Sequence, residues 1–162
     1  MTVSLQQILA ARDERCRRQK ELLAAHPGLT LVCGTVVMPG ETKRNELSLA
    51  IARQESEALA TTFFDSTLQE FDLETGYEIY LLTEDEPLSV KKTVCLIEEN
   101  HPLGRLFDID VIGPGGRPVD RSAVGCEPRK CLICGAPAKE CSRSHAHSTE
   151  ELLKAIETIV NS

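Results

Sequence analysis

Gly104-Arg105-Leu106-Phe107-Asp108-Ile109-Asp110-Val111 is the stretch that decides how this 162-residue chain is read. From Phe107 to Val111 apolar and acidic residues alternate, the period-two pattern of a half-buried strand. Phe107, Ile109 and Val111 should face a core. Asp108 and Asp110 should then share the opposite face, about 6–7 Å apart along the chain. Two carboxylates so placed repel each other unless something positive lies between them. A divalent cation removes that repulsion, and Mg²⁺ is typically held by one or two carboxylates together with substrate phosphates. Glu78 and Asp120 are the candidates for a third carboxylate. The plainer reading is two solvated aspartates on the open face of an edge strand.

A strand of this kind needs partners, and the flanking sequence supplies them. Leu29–Met38 is a near-continuous apolar run closed by Pro39-Gly40, which reads as a central strand. Gly76–Thr83 reads as a second strand and Arg105–Ile112 as the third, with Val119 opening a short return strand. Four helices are expected between and around them. The first follows the Ser4/Gln7 capping box and runs to about Ala25. The second covers roughly Glu41–Thr62. The third follows the turn at residues 84–87 and stops at His101-Pro102. The last begins at the Ser148/Glu151 capping box. Residues 121–147 are rich in Cys, Pro, Gly and Arg and read as irregular. The expected fold is therefore α/β or α+β: a single domain over residues 1–162, a mixed sheet with flanking helices, and a Cys/His-rich irregular segment near the C-terminus.

Charge narrows the partners. The chain carries 18 basic and 25 acidic residues, a net charge of −7, which argues against broad binding to nucleic acid or to an anionic membrane. The acidity is concentrated: residues 41–100 hold −9, while residues 1–40 and 101–147 hold +2 each. A polyanionic ligand should meet those flanks. No run of about 18 apolar residues is present to span a bilayer. Met1–Ala11 lacks the charged and apolar regions of a signal peptide, so the cytoplasm is the expected compartment. Seven cysteines there should be reduced thiols.

Three of those thiols cluster. Cys131-Leu132-Ile133-Cys134-Gly135 is a C-x-x-C-G knuckle, followed by Cys141, His145 and His147. Three thiolates and an imidazole suit tetrahedral Zn²⁺; the alternative is a reduced, half-buried cysteine cluster. Cys16, Cys33 and Cys95 lie on apolar faces and read as core residues. Among the cations, Lys43 follows a Pro-Gly break where backbone can approach phosphate. Arg105, by strand alternation, falls on the face opposite the aspartates. Arg12, Arg15 and Arg18 make one helix face, either solvated or guiding a ligand. His101, a base candidate by type, sits where a helix stops and reads as structural.

The hydrophobic-flanked Asp-x-Asp strand is similar to the metal-binding strand of nucleotidyltransferases. More specifically, His101-Pro102-Leu103-Gly104-Arg105-Leu106-Phe107-Asp108-Ile109-Asp110-Val111 resembles the central motif of the apo-citrate lyase phosphoribosyl-dephospho-CoA transferases. Three more segments agree, in order: Arg12 to Leu23, Met38-Pro39-Gly40-Glu41-Thr42-Lys43, and Arg129-Lys130-Cys131-Leu132-Ile133-Cys134 followed by Cys141, Arg143 and His147. The resemblance implies a nucleotidyltransferase-like fold. It also implies transfer of a prosthetic group from 2′-(5″-triphosphoribosyl)-3′-dephospho-CoA to a serine of the acyl carrier (gamma) subunit of citrate lyase, with release of pyrophosphate. Asp108 and Asp110 match the catalytic pair and would hold Mg²⁺. Lys43, Gly104, Arg105 and Arg143, which lie within these matching segments, are assigned to substrate binding, and His147 matches the motif histidine, making it the better fourth Zn²⁺ ligand. Two other readings stand beside this one: the same transfer to the malonate decarboxylase carrier, and a non-catalytic zinc-knuckle module that docks a protein.

Overall fold

β1 (Thr30–Val36) is the apolar run after Gly28, and it lies inside the sheet. The computed structural model describes residues 1–162. β1 pairs with β3 (Gly76–Thr83) on one side and with β4 (Phe107–Ile112) on the other, Cys33 lying between Tyr80 and Asp110. β2 (Gln69–Leu73) forms a hairpin with β3 and completes the order β2-β3-β1-β4. Every pairing is antiparallel. Of the two expected classes the fold is thus α+β, and its sheet is antiparallel where a mixed one was expected.

The missing piece was β2. Two of its five residues, Gln-Glu-Phe-Asp-Leu, are acidic and three are exposed, so it carries little apolar signal. Counting it, the chain runs β1, α2 (Glu46–Thr62), β2, β3, α3 (Pro87–Asn100), β4. Strand β3 lies between β1 and β2, and β1 lies between β3 and β4. These are two interleaved split βαβ units, the ferredoxin-like arrangement. Right-handed crossovers place α2 and α3 on the same face.

That face holds the main core. Val32, Ile79, Leu81, Phe107, Ile109 and Val111 of the sheet pack with Ile51 and Leu59 of α2, Val90 and Val94 of α3, and Ile156 of α5 (Thr149–Val160). On the other face Leu31, Cys33, Tyr80 and Ile112 form a smaller cluster beneath Leu22 and Leu23 of α1 (Leu5–Ala25). No residue of α1 is fully buried, and Cys16 is exposed, not core; Cys33 and Cys95 are buried. Helix α1 is instead anchored by charge. Arg15 (3.5 Å) and Arg18 (3.1 Å) pair with the buried Glu78, which also accepts the Tyr80 hydroxyl, while Arg18 stacks 4.0 Å over Phe71.

Helix α2 starts later than expected. Asn45 and Ser48 form a reciprocal capping box, so residues 41–45 are loop, tied down where Val3 donates to the Glu41 carbonyl at 2.8 Å. Strand β4 also starts later. Gly104–Leu106 form a 3-10 turn because Gly104 presses on the end of α3, where a Cβ would sit 2.4 Å from the Glu98 carbonyl oxygen. Arg105 is therefore outside the strand. Val119 gives β4 one hydrogen bond and no return strand. The segment read as irregular contains a 3-10 turn, Arg121–Val124, and a short helix, α4 (Ala138–Ser144).

As an edge strand, β4 would expose unpaired backbone groups, but side chains close it. Glu98 accepts the Ile109 N–H at 3.2 Å, and Lys91 donates to the Ile109 carbonyl at 3.3 Å. Arg129 donates to the carbonyls of Phe107, Gly104 (3.1 Å) and Arg105 (2.6 Å). Val119 donates to the Val111 carbonyl at 2.9 Å. Glu98 is itself buried and paired with Arg121 (2.7 Å) and Arg129 (3.1 Å).

One buried acid stands apart. Glu55 of α2 is fully buried and neither carboxyl oxygen has a hydrogen-bond partner. It fits because Gly34 has no side chain: a Cβ there would lie 2.7 Å from Glu55 Oε1. Burial first, and the charges of Asp108 and Glu98 second, hold its carboxyl well above the ordinary value, so the neutral form is favoured.

Two outcomes follow for stability. Because the folded carboxyl of Glu55 is raised, its contribution is fully present at acid pH and is lost as pH rises. Glu55→Gln should match wild type at acid pH and gain on it by up to ~1.4 kcal/mol per pH unit above the unfolded carboxyl value. Urea denaturation across pH reads this; parallel pH curves would refute it. Arg129→Ala should cost about 2–4 kcal/mol in the same assay, since it orphans three carbonyls and half of a buried ion pair. Arg129→Lys should recover only part, lacking the planar fork.

Candidate active site

Alternation along β4 places the two aspartates as the sequence implied. Phe107, Ile109 and Val111 are buried, while Asp108 and Asp110 are exposed on the α1 face. Thr35 lies opposite Asp108 in the register and donates to its backbone carbonyl at 3.4 Å. Neither carboxylate has a cationic partner within 4.0 Å. Desolvation, and then the like charge of Asp108, push the Asp110 carboxyl above its usual range. Lys91 and Arg15 offset part of this at longer range, and the remaining repulsion is what a bound cation would remove. Glu78 shares this face but is engaged by Arg15, Arg18 and Tyr80. No third acidic or imidazole ligand completes a cluster with the aspartates.

The cations expected at substrate divide between two places. Lys43, in the loop after β1, donates to the Met38 carbonyl at 2.6 Å and is half-buried. It lines a cavity of about 180 Å³ with Arg12, Arg15, Thr35 and Tyr77, next to the aspartates. Burial first, and the Arg12 charge second, lower its ammonium from the usual lysine range. Arg105 lies on the far side of the 3-10 turn, where its Nε donates to the Lys130 carbonyl at 2.8 Å. It shares a second cavity, about 280 Å³, with Glu98, Arg121 and Arg129. Gly104 is buried and contributes close packing against α3. Arg143 is exposed in the last turn of α4. His101 accepts the Leu103 N–H on Nδ1 at 2.9 Å and packs on Phe107 with ring centroids 4.8 Å apart. That contact is with the core side of β4, away from the aspartates.

The Cys/His segment closes on itself. The ligand atoms of Cys131, Cys134, Cys141 and His147 all lie within 4.8 Å of one another. The knuckle is shaped by the Cys131 N–H bond to the Ala136 carbonyl at 2.6 Å and by Gly135 at φ +72°. His145, at φ 51°, ends α4 and turns the chain so that His147 faces the thiols while His145 does not join them. The Ala136 N–H and then His147 pull the Cys134 thiol down to about 6, and its hydrogen bond to Cys134 pushes Cys141 up to about 12. The His147 Nε2 is buried without a partner. A donor set of three sulfurs and one orphaned imidazole nitrogen fits a tetrahedral cation.

Sequence reasoning missed what joins the two centres. Arg129 and Lys130, immediately before the knuckle, bind the turn that feeds β4, Arg129 through three carbonyls and Lys130 through Arg105. Glu98, between Ile97 and Glu99 near the end of α3, gives no local sign of burial.

Comparison with known proteins agrees with the family resemblance. The family model described as apo-citrate lyase phosphoribosyl-dephospho-CoA transferase matches residues 3–162. A protein of that name, qualified as probable, from Streptococcus pyogenes serotype M18 is 35% identical over 167 residues, covering 99% of this chain and 86% of its own. One from Vibrio cholerae serotype O1 strain M66-2 is 36% identical over 167 residues, covering 99% and 93%. Protein CitXG of Haemophilus influenzae is 33% identical over 162 residues, and there the chain spans 35% of a longer protein. With the whole of its folded length matched and its aspartate strand and cysteine knuckle in place, the chain belongs to the apo-citrate lyase phosphoribosyl-dephospho-CoA transferase family.

Proposed function

We propose that this protein transfers the 2′-(5″-phosphoribosyl)-3′-dephospho-CoA group from its triphosphate precursor to a serine of the citrate lyase acyl carrier (gamma) subunit. The observation that carries the reading is the unpaired Asp108/Asp110 face beside a cationic cavity, in a chain of this family. In the transfer, the serine oxygen bonds to the α-phosphorus, the bond to the β-phosphate breaks, and pyrophosphate leaves with the electron pair. Asp108 and Asp110 would hold Mg²⁺, which supplies charge neutralisation at the phosphoryl group. Lys43 holds phosphate. Arg105 and Arg143 would contact the remainder of the donor or the carrier, and Gly104 would keep the turn before β4 close to α3. Cys131, Cys134, Cys141 and His147 would hold Zn²⁺ as a structural ion, giving that segment a fixed shape. The knuckle's attachment to the aspartate strand favours one catalytic unit over a separate docking module. No helix is long and apolar enough to cross a membrane. Seven free thiols support a reducing cytoplasm.

Mixing the protein with apo carrier, the triphosphoribosyl donor and Mg²⁺ should raise the carrier's mass by the prosthetic group. Asp108→Asn should cut the rate at least ~100-fold while the fold is kept; undiminished transfer would reject the aspartate mechanism. The malonate decarboxylase carrier in a parallel reaction should remain unmodified. Protein purified without chelator should hold one zinc per chain, and Cys134→Ser should lose it; a wild-type content well below one rejects the zinc site.

A further inference from the structure

The cavity between α1, the β1–α2 loop and the β2–β3 turn is lined by Arg12, Arg15 and Lys43 and by no carboxylate. That is unusual in a chain with 25 acidic and 18 basic residues. The other arginines of α1 show what the chain ordinarily does with a cation. Arg17 pairs with Glu14 and Glu21, Arg18 with Glu14 and Glu78, and Arg15 with Glu78. Arg12 has no carboxylate within 4.0 Å and no hydrogen-bond partner, and Lys43 has only the Met38 carbonyl. Two like charges thus face one cavity, one of them half-buried, and burial first and the Arg12 charge second depress the Lys43 ammonium. Such an arrangement is unfavourable until an anion enters. Its position gives the anion's place in the reaction. Thr35 lines the cavity and stands opposite Asp108 in the sheet.

We infer that this cavity is the seat of the leaving group: Arg12 and Lys43 together bind the terminal diphosphate of a 5′-triphosphorylated ribosyl donor. The inference rests on the proposed transfer and adds to it the place where that diphosphate is held. As the bond from the α-phosphorus to the bridging oxygen breaks, the electron pair and negative charge pass to the diphosphate. Arg12 and Lys43 stabilise that charge, the serine oxygen bonds to phosphorus from the side opposite the leaving group, and the serine proton passes to solvent. Arg12 is then a catalytic residue that touches the leaving group, and the basic face of α1 is divided: Arg15 and Arg18 hold the helix while Arg12 holds substrate.

Inorganic pyrophosphate is the probe. Titration calorimetry of the full chain without Mg²⁺ should show pyrophosphate binding at least ~10-fold tighter than orthophosphate. Arg12→Gln and Lys43→Gln should each weaken it ~10-fold or more, with the melting temperature of Arg12→Gln unchanged. Arg117→Gln, in the exposed turn after β4, serves as the control and should bind as wild type does. In the transfer assay, Arg12→Gln should raise the donor KM and the pyrophosphate inhibition constant together, and Arg12→Lys should restore part of both. Wild type that does not bind pyrophosphate, or Arg12→Gln that binds it equally well, overturns the inference. So does a variant that loses affinity for the carrier alone. If pyrophosphate binds as described but no carrier is ever modified, the proposed transfer fails and the anion site stands.

Discussion

The closure of the β4 edge by Glu98, Lys91 and Arg129 is the constraint on which the site depends. A terminal strand has hydrogen bonds on one side only, and two like charges side by side on it add repulsion. Here the residue between the aspartates, Ile109, has its N–H and carbonyl fixed by two side chains of α3. Arg129 fixes the residues just before them. The aspartates are therefore presented from a backbone gripped on both sides, by β1 and by α3. The same network explains why Glu98 stays buried. It lies among three cations, and its pairing is shared with backbone, which makes the ion cluster part of the sheet rather than an ornament on it.

The knuckle belongs to this scheme. Its first cysteine comes two residues after Arg129, so whatever orders the thiols also orders the guanidinium that grips Gly104, Arg105 and Phe107. A structural ion some distance along the chain can in this way act on the aspartates without touching them. On the other face of the sheet, Gly34 and Glu55 mark a compromise of the opposite kind. A neutral acid occupies the space a side chain would fill, directly behind the strand that pairs with β4.

Much of this was legible in the residues. Period-two alternation gave the Asp108/Asp110 face because burial of Phe107 and Ile109 leaves the pleat no other choice. Capping boxes at Ser4 and Ser148 gave two helix starts to the residue. What stayed hidden had weak local signal. β2 is an edge strand whose acidic residues face solvent, so its apolar count is too low to declare it. The start of α2 moved from Glu41 to Glu46 because Asn45 and Ser48 form a box in which serine stands where glutamate or glutamine is usual. Arg105 was assigned a strand face, but a close approach of Gly104 to α3, a tertiary fact, ended the strand before it. The pairing of Arg129 with Glu98 joins residues 31 apart in sequence, and no local pattern encodes it.

Helix α1 carries a last consequence. The principal core cluster contains none of its residues, and its grip on the sheet is two arginines on one glutamate, a stacked guanidinium and the partly buried Leu22 and Leu23. Elements held in this way exchange their amide hydrogens through local openings that leave the global fold intact. The hold of helix α1 beside the aspartate face is therefore weakened by salt where the rest of the core is not. The surface on which the chemistry is proposed to occur is thus bordered by a helix with no fully buried residue.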